Sequence, residues 1–487
     1  MSKNISLSKL YTFGRCYLQI AAYCASIAAF CLLFMSWCAH ADPKLKNAYR
    51  EDKSGWVFIH VEGSPDEIGY QHGYLLAPEI DDAMKAMKFY LARSTHRDWK
   101  FYRRCAEKMF WPKLTDEYKN EIGGIAEGLR ARGKEYDSID ITALNGWIEL
   151  AEYYLPALRA KKIKGADVDK APGSCSAFIA TGSYTSDGKI VMAHNNWIDY
   201  IVGERWNIIE DIVPEKGDEI LMDTFPGFIH SGDDFAENSA GILITETTIA
   251  QFKGFDVKGI PEFMRAREAE QYSNSIDDFV KIMTTGNNGG YANDWLVGDT
   301  KTNEVARLEL GLKNHRVWRT KDGYYVGSNF PSDPKLIKEE TTFKVNDARS
   351  SMNDRKARWE KLMEEYKGKI DAKLAEQFMG DHFDQVRGTE MNNAYVLCGH
   401  NDEDTLGVRQ WGWKPFTPGG AVQGKVTTAD MSGKMEFMAH MGHPCGESFI
   451  ASKFFSAHPG YRWQSQFLHD MISYPWALFG AKNRTGN

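Results

Sequence analysis

Cysteine is scarce in the body of this 487-residue chain. Eight are present, but Cys16, Cys24, Cys31 and Cys38 fall within the first 41 residues, which leaves Cys105, Cys175, Cys398 and Cys445. Four thiols are too few for a disulfide scaffold of this size. Long apolar runs are missing after Trp37, so no later segment is long enough to cross a bilayer. Positive charge is not in excess either: the formal net charge is −7, a poor electrostatic match for nucleic acid or an anionic membrane surface. No low-complexity tract or repeat period occurs, which excludes disorder and a solenoid. The chain also lacks a G-x-S-x-G elbow, an H-E-x-x-H pair, a phosphate loop and a G-x-G-x-x-G turn. His440 with His443, and His400 beside Asn401-Asp402-Glu403-Asp404, offer no third ligand at convincing spacing, so neither metal nor cofactor is expected.

What is present reads as globular. Hydrophobic residues make up 43% and aromatics 13%, enough for a large core organised as one large domain or up to three ordinary ones. Lys3, Lys9 and Arg15 precede a nearly uncharged run over 17–37 and then Ala39-His40-Ala41, the basic, apolar, small-x-small order of a secretory signal. Cleavage is expected after Ala41, with a retained anchor as the alternative because the run is long for a signal core. Loss of its three cations takes the net charge from −7 to −10. The mature body is expected to be secreted or periplasmic, or lysosome-like in a eukaryote, with no membrane span.

Residues 42–174 have a mainly helical texture after a short strand over 56–61. Ser64-Pro65-Asp66-Glu67 supplies a cap, a first-turn proline and a capping-box acid. Ile80, Met84, Met87 and Leu91 recur at helical spacing as a buried stripe, and further helices are predicted within 98–132 and 138–160. Lys161-Lys162-Ile163-Lys164 then opens a Gly- and Pro-broken connector running to Ser174. From Cys175 the texture turns strand-rich. Strands over 176–184 and 189–196 meet around Asp187-Gly188, a hairpin signal; 242–249 reads as a further strand. Pairs are predicted for 295–298 with 305–310, 315–319 with 324–328 across Asp322-Gly323, and 426–431 with 435–441. Helices are predicted within 261–285 and 353–379. This mixture predicts layered sheets covered by helices.

Gly173-Ser174-Cys175-Ser176-Ala177-Phe178 is the most informative string. A thiol with its free pKa of ~8.5 is only partly ionised near neutrality and needs a base. If the chain cuts itself before Cys175, the freed α-amine, with an unperturbed pKa of ~7.7–8.0, supplies one on the same residue. A small buried apolar cysteine is the alternative for this string alone. A papain-like protease is excluded, because the cysteine lacks that family's following sequence and helix-start context. With Cys175 a nucleophile, at most one disulfide remains among the other three, and Cys398 with Cys445 is the expected pair.

After Cys175 come His194-Asn195-Asn196-Trp197, Ser231-Gly232-Asp233-Asp234-Phe235, Glu246-Thr247-Thr248, Tyr291-Ala292-Asn293-Asp294-Trp295 and Ser328-Asn329-Phe330-Pro331-Ser332. In this order the strings resemble the phospholipase B-like proteins, N-terminal-nucleophile hydrolases related to the acyl-CoA:isopenicillin N acyltransferase-like autoproteolytic enzymes. The resemblance spans roughly residues 172–360. It implies an α+β fold, a four-layer αββα sandwich with a helical N-terminal segment. It implies self-cleavage between Ser174 and Cys175 into fragments 42–174 and 175–487 that stay associated. It further implies hydrolysis of an acyl amide or ester, with a fatty amide or phospholipid-like small molecule as substrate. An acyltransferase and a self-cleaving but catalytically silent binding protein are the alternatives.

By position, Cys175 takes the nucleophile role and Asn293 the oxyanion-holding role, a strand-end turn asparagine being its alternative. His194 falls where related amide hydrolases place a cationic residue, unless it is a core histidine. A tight hairpin at Asp187-Gly188 puts Thr181 opposite His194 and brings Asp199 and Tyr200 nearer the thiol; a longer loop or a bulge restores His194. Arg349 matches an arginine that orders the nucleophile's surroundings, with Arg355 close enough to share the assignment. Glu246 and Thr247, with Trp197, are expected at the substrate pocket, ordinary strand-face residues being the alternative for Glu246 and Thr247 on their own. Trp197 stands where bile-acid-amide hydrolases have an aspartate.

Overall fold

In the computed structural model, residues 42–162, 175–232, 234–347 and 350–480 are described. The signal-like segment 1–41, the connector with Ser174, and Arg349 lie outside them. Of the described residues, 42–46, with the 3-10 turn Pro43–Leu45, belong to one unit and those from Asn47 onward to a second. In chain order the second unit's strands are β1 (Tyr49–Lys53), β2 (Trp56–Gly63), β3 (Cys175–Thr181), β4 (Val191–Asp199), β5 (Ile208–Pro214) and β6 (Ile220–Thr224). Then follow β7 (Phe235–Asn238), β8 (Ile242–Thr248), β9 (Asn293–Asp299), β10 (Glu304–Leu310), β11 (His315–Thr320) and β12 (Gly323–Gly327). A short pair, β13 (Phe383–Asp384) and β14 (Thr389–Glu390), precedes β15 (Gly419–Thr428), β16 (Glu436–Met441) and β17 (Ala477–Gly480).

Two large sheets result among the described residues. One has nine strands in the order β1-β2-β5-β6-β7-β8-β9-β10-β11, the other six in the order β12-β3-β4-β15-β16-β17. Their facing sides share one apolar layer: Phe58, Ile209, Leu221 and Leu296 from the first meet Ala177, Ile179, Met192 and Phe437 from the second. The outer face of the six-stranded sheet, with Phe178 and Val426, packs on Trp359 and Met363 of the helix Ser351–Glu365 and on Phe378 of Ala372–Met379. The outer face of the nine-stranded sheet, with Ile59, Ile212 and Ile244, packs on Ile68, Met84 and Ile125 from the helices Pro65–Leu75, Ala77–Thr95 and Asp116–Ala131. The layer order is αββα, as the resemblance implies. A strand buried on both faces has no polar alternation to display, and all seven residues of β3 are buried.

The part before the connector belongs to this architecture through β2, which pairs in parallel with β5, Val57 opposite Ile208. The capping box at Ser64 and Glu67 is present, and the Ile80, Met84, Met87, Leu91 stripe is buried. Two expectations are corrected. Strands 315–319 and 324–328 do not form a hairpin: β11 pairs with β10 in one sheet and β12 with β3 in the other. Asp322 turns its carboxylate to the Ser183 N–H at 2.6 Å, so the Asp-Gly pair carries the chain between layers. Nor do Cys398 and Cys445 form a disulfide; both are free thiols, engaged with each other and with the imidazoles of His382 and His400.

The helices Pro65–Leu75 and Asp116–Ala131 cross at backbone contact. A Cβ on Gly69 would lie 1.9 Å from the Glu121 carbonyl oxygen, and one on Gly124 2.4 Å from that of Asp66. Gly123, one residue away, has nothing within 4 Å. Gly124→Ala is therefore expected to destabilise by about 1–3 kcal/mol through overpacking. Gly123→Ala should be neutral or gain up to about 1 kcal/mol from helix propensity. Urea unfolding of the two variants checks this, and equal effects would refute the close crossing.

Candidate active site

Cys175 opens β3, an interior strand of the six-stranded sheet, with β12 on one side and β4 on the other. The pairing with β4 sets Cys175 opposite Asn196 and Ala177 opposite His194. A tight Asp187-Gly188 hairpin would have put Thr181 there. Instead the connection takes residues 182–190, beginning with the 3-10 turn Gly182–Tyr184 and anchored by a bridge from Thr185 to Ile370. The longer loop brings His194 opposite Ala177, two residues from Cys175, and keeps Asp199 and Tyr200 for other partners. Tyr90 donates to Asp199 at 2.7 Å, and Tyr200 donates to Asp402 at 2.7 Å.

With this register, side-chain donor atoms of Cys175, His194, Asp234 and Glu246 all fall within 4.8 Å of one another. The thiol sulfur is 4.0 Å from Glu246 Oε1, and His194 Nε2 is 3.9 Å from Asp234 Oδ1. Asn196 donates to the other oxygen of Asp234. Next to β4 runs β15, whose Lys425 pairs with His194 across the strands. The Lys425 ammonium is fully buried and sits 3.0 Å from Asp223, 2.6 Å from Gln423 Oε1 and 3.8 Å from Asp234.

These surroundings fix the charge states. Burial raises the Cys175 thiol well above its ordinary range, and the Glu246 and Asp234 carboxylates add to this; the Trp197 backbone and Lys425 pull the other way. Burial, then Lys425, holds His194 well below the usual imidazole range. Thiol and imidazole are both neutral near pH 7, so this is not a thiolate–imidazolium pair. The four donors also have the chemistry to hold a divalent cation. The neighbouring contacts, however, address the main chain of residue 175.

That main chain is held from both sides. Asn329 Oδ1 accepts the Cys175 N–H at 3.2 Å while its Nδ2 donates to the Thr248 carbonyl at 3.0 Å, which sets the amide orientation. Arg355 Nη1 donates to the Cys175 carbonyl at 2.5 Å and to Ser176 Oγ at 3.0 Å. Its Nη2 donates to Asn329 Oδ1 at 2.9 Å, its Nε to Ser351 Oγ at 3.1 Å, and its plane lies 4.3 Å over Trp197. Burial lowers this guanidinium to about 9, so it remains cationic at neutral pH.

The sequence-selected residues divide accordingly. Cys175, His194 and Glu246 are brought together, with Tyr291 donating its hydroxyl to Glu246 at 3.2 Å. Thr247 Oγ1 accepts the Asn329 N–H at 3.5 Å. Asn293 opens β9 and pairs with Thr248, buried at the same end of the sheet as Glu246. Trp197 is 1% exposed and lies in the outer apolar layer behind the strand, edge-on to Trp411 at 5.7 Å. Trp411 in turn lines a cavity of about 690 Å³ with Tyr90, Trp147, Trp413, Glu152 and Asp199. Burial raises those two acids, Glu152 to about 8 and Asp199 to about 6. Asp223, Lys425, Asn329 and Asp234 were not selected from sequence as site residues. Asp234 and Asn329 stood in quoted strings, and a lone lysine inside the buried strand β15 was the available signal for Lys425.

A family model described as Phospholipase B matches residues 77–333. Among curated proteins, the chain is 29% identical over 263 residues to an uncharacterized protein of Archaeoglobus fulgidus, covering 52% of this chain and 42% of that one. It is 25% identical over 265 residues to phospholipase B-like 1 of Homo sapiens, covering 48% and 47%. The chain thus spans about half the length of the curated relatives it matches. Solved structures with likeness include a variant of the conjugated bile acid hydrolase from Clostridium perfringens, at 12% identity, 55% of this chain, 89% of that one and TM-score 0.34. Penicillin V acylase from Agrobacterium tumefaciens matches at 10% identity, 55% and 83% coverage and TM-score 0.30.

Removing Lys425 strands Asp223 in a dry environment. Lys425→Met is expected to cost about 3–5 kcal/mol, the usual result of leaving one buried charge alone. Adding Asp223→Asn should recover part of that loss. Denaturant unfolding of both variants measures it, and identical losses would show that the pair is not compensating.

Proposed function

Because this chain belongs to the phospholipase B family, we propose that it is a self-processed N-terminal cysteine hydrolase acting on acyl amides or esters. The observation that carries this reading is the clamp on residue 175. Asn329 and Arg355 grip the N–H and C=O of the residue whose sulfur stands among His194, Asp234 and Glu246. A protonated thiol with no imidazolium partner calls for a base that appears only after the peptide bond breaks.

In self-cleavage the sulfur adds to the Ser174 carbonyl carbon, the C–N bond breaks, and the thiol proton passes to the departing nitrogen. Water then hydrolyses the thioester, freeing the thiol and leaving Ser174 with a carboxylate. In turnover the neutral α-amine takes the thiol proton, sulfur adds to the substrate carbonyl, and the amine returns the proton to the leaving group. Water, deprotonated by the same amine, releases the acid. Asn329 Oδ1, already an acceptor for this nitrogen, orients the amine so that its lone pair faces the sulfur. The Asn293 side-chain NH2 holds the oxyanion, a contribution of about 3–4 kcal/mol in such holes. His194, neutral and packed beside the sulfur, positions the carbonyl. Arg355 takes the ordering role expected for Arg349.

A fatty amide or phospholipid-like ester is the substrate class of this reading; the cavity around Trp147 and Trp411 is lined by none of Cys175, His194, Asp234 and Glu246 and is not assigned to it. Fragments 42–174 and 175–487 remain joined, because β2 and β5 share a sheet and the first fragment's helices cover its outer face. No helix among the described residues is long and apolar enough to cross a membrane, and export through the 1–41 signal completes the proposal.

Cys175→Ala is expected to give a single uncut chain by intact mass and N-terminal sequencing, and Cys175→Ser a slow cut. Normal processing of the alanine form would falsify the proposal. Asn293→Ala should lower kcat by about 10²–10³ with unfolding unchanged; loss of soluble protein instead would assign it a structural role. In the processed enzyme the base must be unprotonated, so kcat/KM should fall as pH drops below the amine pKa of ~7.7–8.0. A profile that stays flat from about pH 6 to about pH 9, roughly two units below that pKa to one above, contradicts an amine base.

A further inference from the structure

The loop that packs against the back of Trp197 carries a second cluster of chemistry-bearing groups. A Cβ on Gly399 would lie 2.1 Å from the Trp197 ring, so this glycine lets the loop press directly on the indole. On either side of it, Cys398 and His400 are buried and join His382 and Cys445, from two other segments, with donor atoms all within 4.8 Å of one another. His382 Nε2 and His400 Nε2 are 3.1 Å apart, and Cys445 Sγ is 3.6 Å from His400 Nε2.

We propose that His382, Cys398, His400 and Cys445 bind one zinc ion as a structural site. A tetrahedron with Zn–N of ~2.0–2.1 Å and Zn–S of ~2.3 Å has edges of roughly 3.3 Å between nitrogens and 3.5 Å between nitrogen and sulfur. The two observed separations fall close to these edges. Two thiolates and two imidazoles complete four-coordination with no position left for water, which is the structural rather than the catalytic pattern. Binding releases two thiol protons and leaves a neutral centre, with no change of oxidation state. A disulfide between Cys398 and Cys445 would use the sulfurs but gives no reason for two imidazole nitrogens to face each other beside them.

The backbone around the cluster is built for this. Glu447 N–H donates to Cys445 Sγ at 3.5 Å, the kind of contact that steadies a metal-bound thiolate. Cys398 N–H bonds the Asp381 carbonyl at 3.1 Å and His400 N–H that of Asn393 at 2.8 Å, fixing the Cys-Gly-His turn. His382 and Cys445 are partly exposed and give an ion its way in. The site ties loops far apart in sequence to the strand beside the nucleophile, because Asn195 donates to the carbonyls of Met379 at 2.8 Å and Leu397 at 3.1 Å. This inference stands independently of the hydrolase reading.

Metal content of the full chain, purified from zinc-supplemented culture without chelator, provides the test. One zinc per chain is expected, falling at least tenfold in Cys398→Ser and in Cys445→Ser and unchanged in Cys105→Ser. Should the serine variants not fold, cobalt(II) exchanged into the unaltered chain should show tetrahedral bands with thiolate charge transfer. Zinc below a tenth of an equivalent overturns the proposal. So does recovery of Cys398 and Cys445 as one disulfide-linked peptide without reductant, or a cobalt spectrum lacking thiolate character.

Discussion

Arg355 is a cation without access to water, and the arrangement around Cys175 follows from satisfying it. Burying a guanidinium costs several kcal/mol unless nearly every N–H finds an acceptor. Here the acceptors are the Cys175 carbonyl, Ser176 Oγ, Asn329 Oδ1 and Ser351 Oγ, with the Trp197 ring beneath the plane. Three separate segments are thereby locked to one planar group: the start of β3, the Ser328-Asn329 turn and the helix beginning at Ser351. The fork geometry of arginine, not its charge alone, makes this possible. A lysine would reach at most part of the set. The two contacts on residue 175 itself turn a structural cation into a device that sets the peptide unit's orientation.

The buried Lys425 is the counterpart on the other side of Cys175. It serves Asp223 first, at 3.0 Å, and reaches Asp234 at 3.8 Å, so it moderates the negative charge facing the sulfur without neutralising it. Burial first, and Lys425 second, keep His194 from accepting a proton. The outcome is a pocket in which the thiol rests protonated and the imidazole cannot serve as its base. Charge placement therefore favours a nucleophile that brings its own proton acceptor, which the α-amine of a freed Cys175 would be. Asn329 Oδ1 accepts the Cys175 N–H in the uncut chain, and under the proposed cut the same oxygen would meet the freed amine.

Much of the layer order was legible in the sequence because it rests on local signals. The capping box at Ser64, the methionine stripe over Ile80 to Leu91 and the runs that became β8 to β10 each state their own structure. The Asp-Gly pairs misled twice for one reason. A turn dipeptide fixes a local reversal, whereas the register of β3 with β4 and the parting of β11 from β12 are decided by what the strands bury. In the site, Cys175 could be read from its small neighbours and the connector before it. Arg355 and Lys425 could not be assigned with the same clarity. A charged residue in a buried stretch announces a partner but does not say which one, and the partners here are 180 and 202 residues away.

The four-donor cluster was legible only in part, Cys398 being paired with Cys445 and His400 considered apart from them, for the same reason in a stronger form. His382, Cys398, His400 and Cys445 have no metal-binding spacing in sequence; the sheet brings their loops together. Their position has a mechanical consequence. Gly399 presses on Trp197, Trp197 carries Arg355, and Arg355 holds the carbonyl of Cys175, a continuous path of packed groups. Closely packed interiors transmit displacement instead of absorbing it. A loop free to drift behind Trp197 would loosen the platform under the guanidinium and with it the angle at which the thiol meets its carbonyl. Tying that loop through Cys398 and His400 to His382 and Cys445 on two other segments would keep the backing of Cys175 rigid without placing any additional charge beside its sulfur.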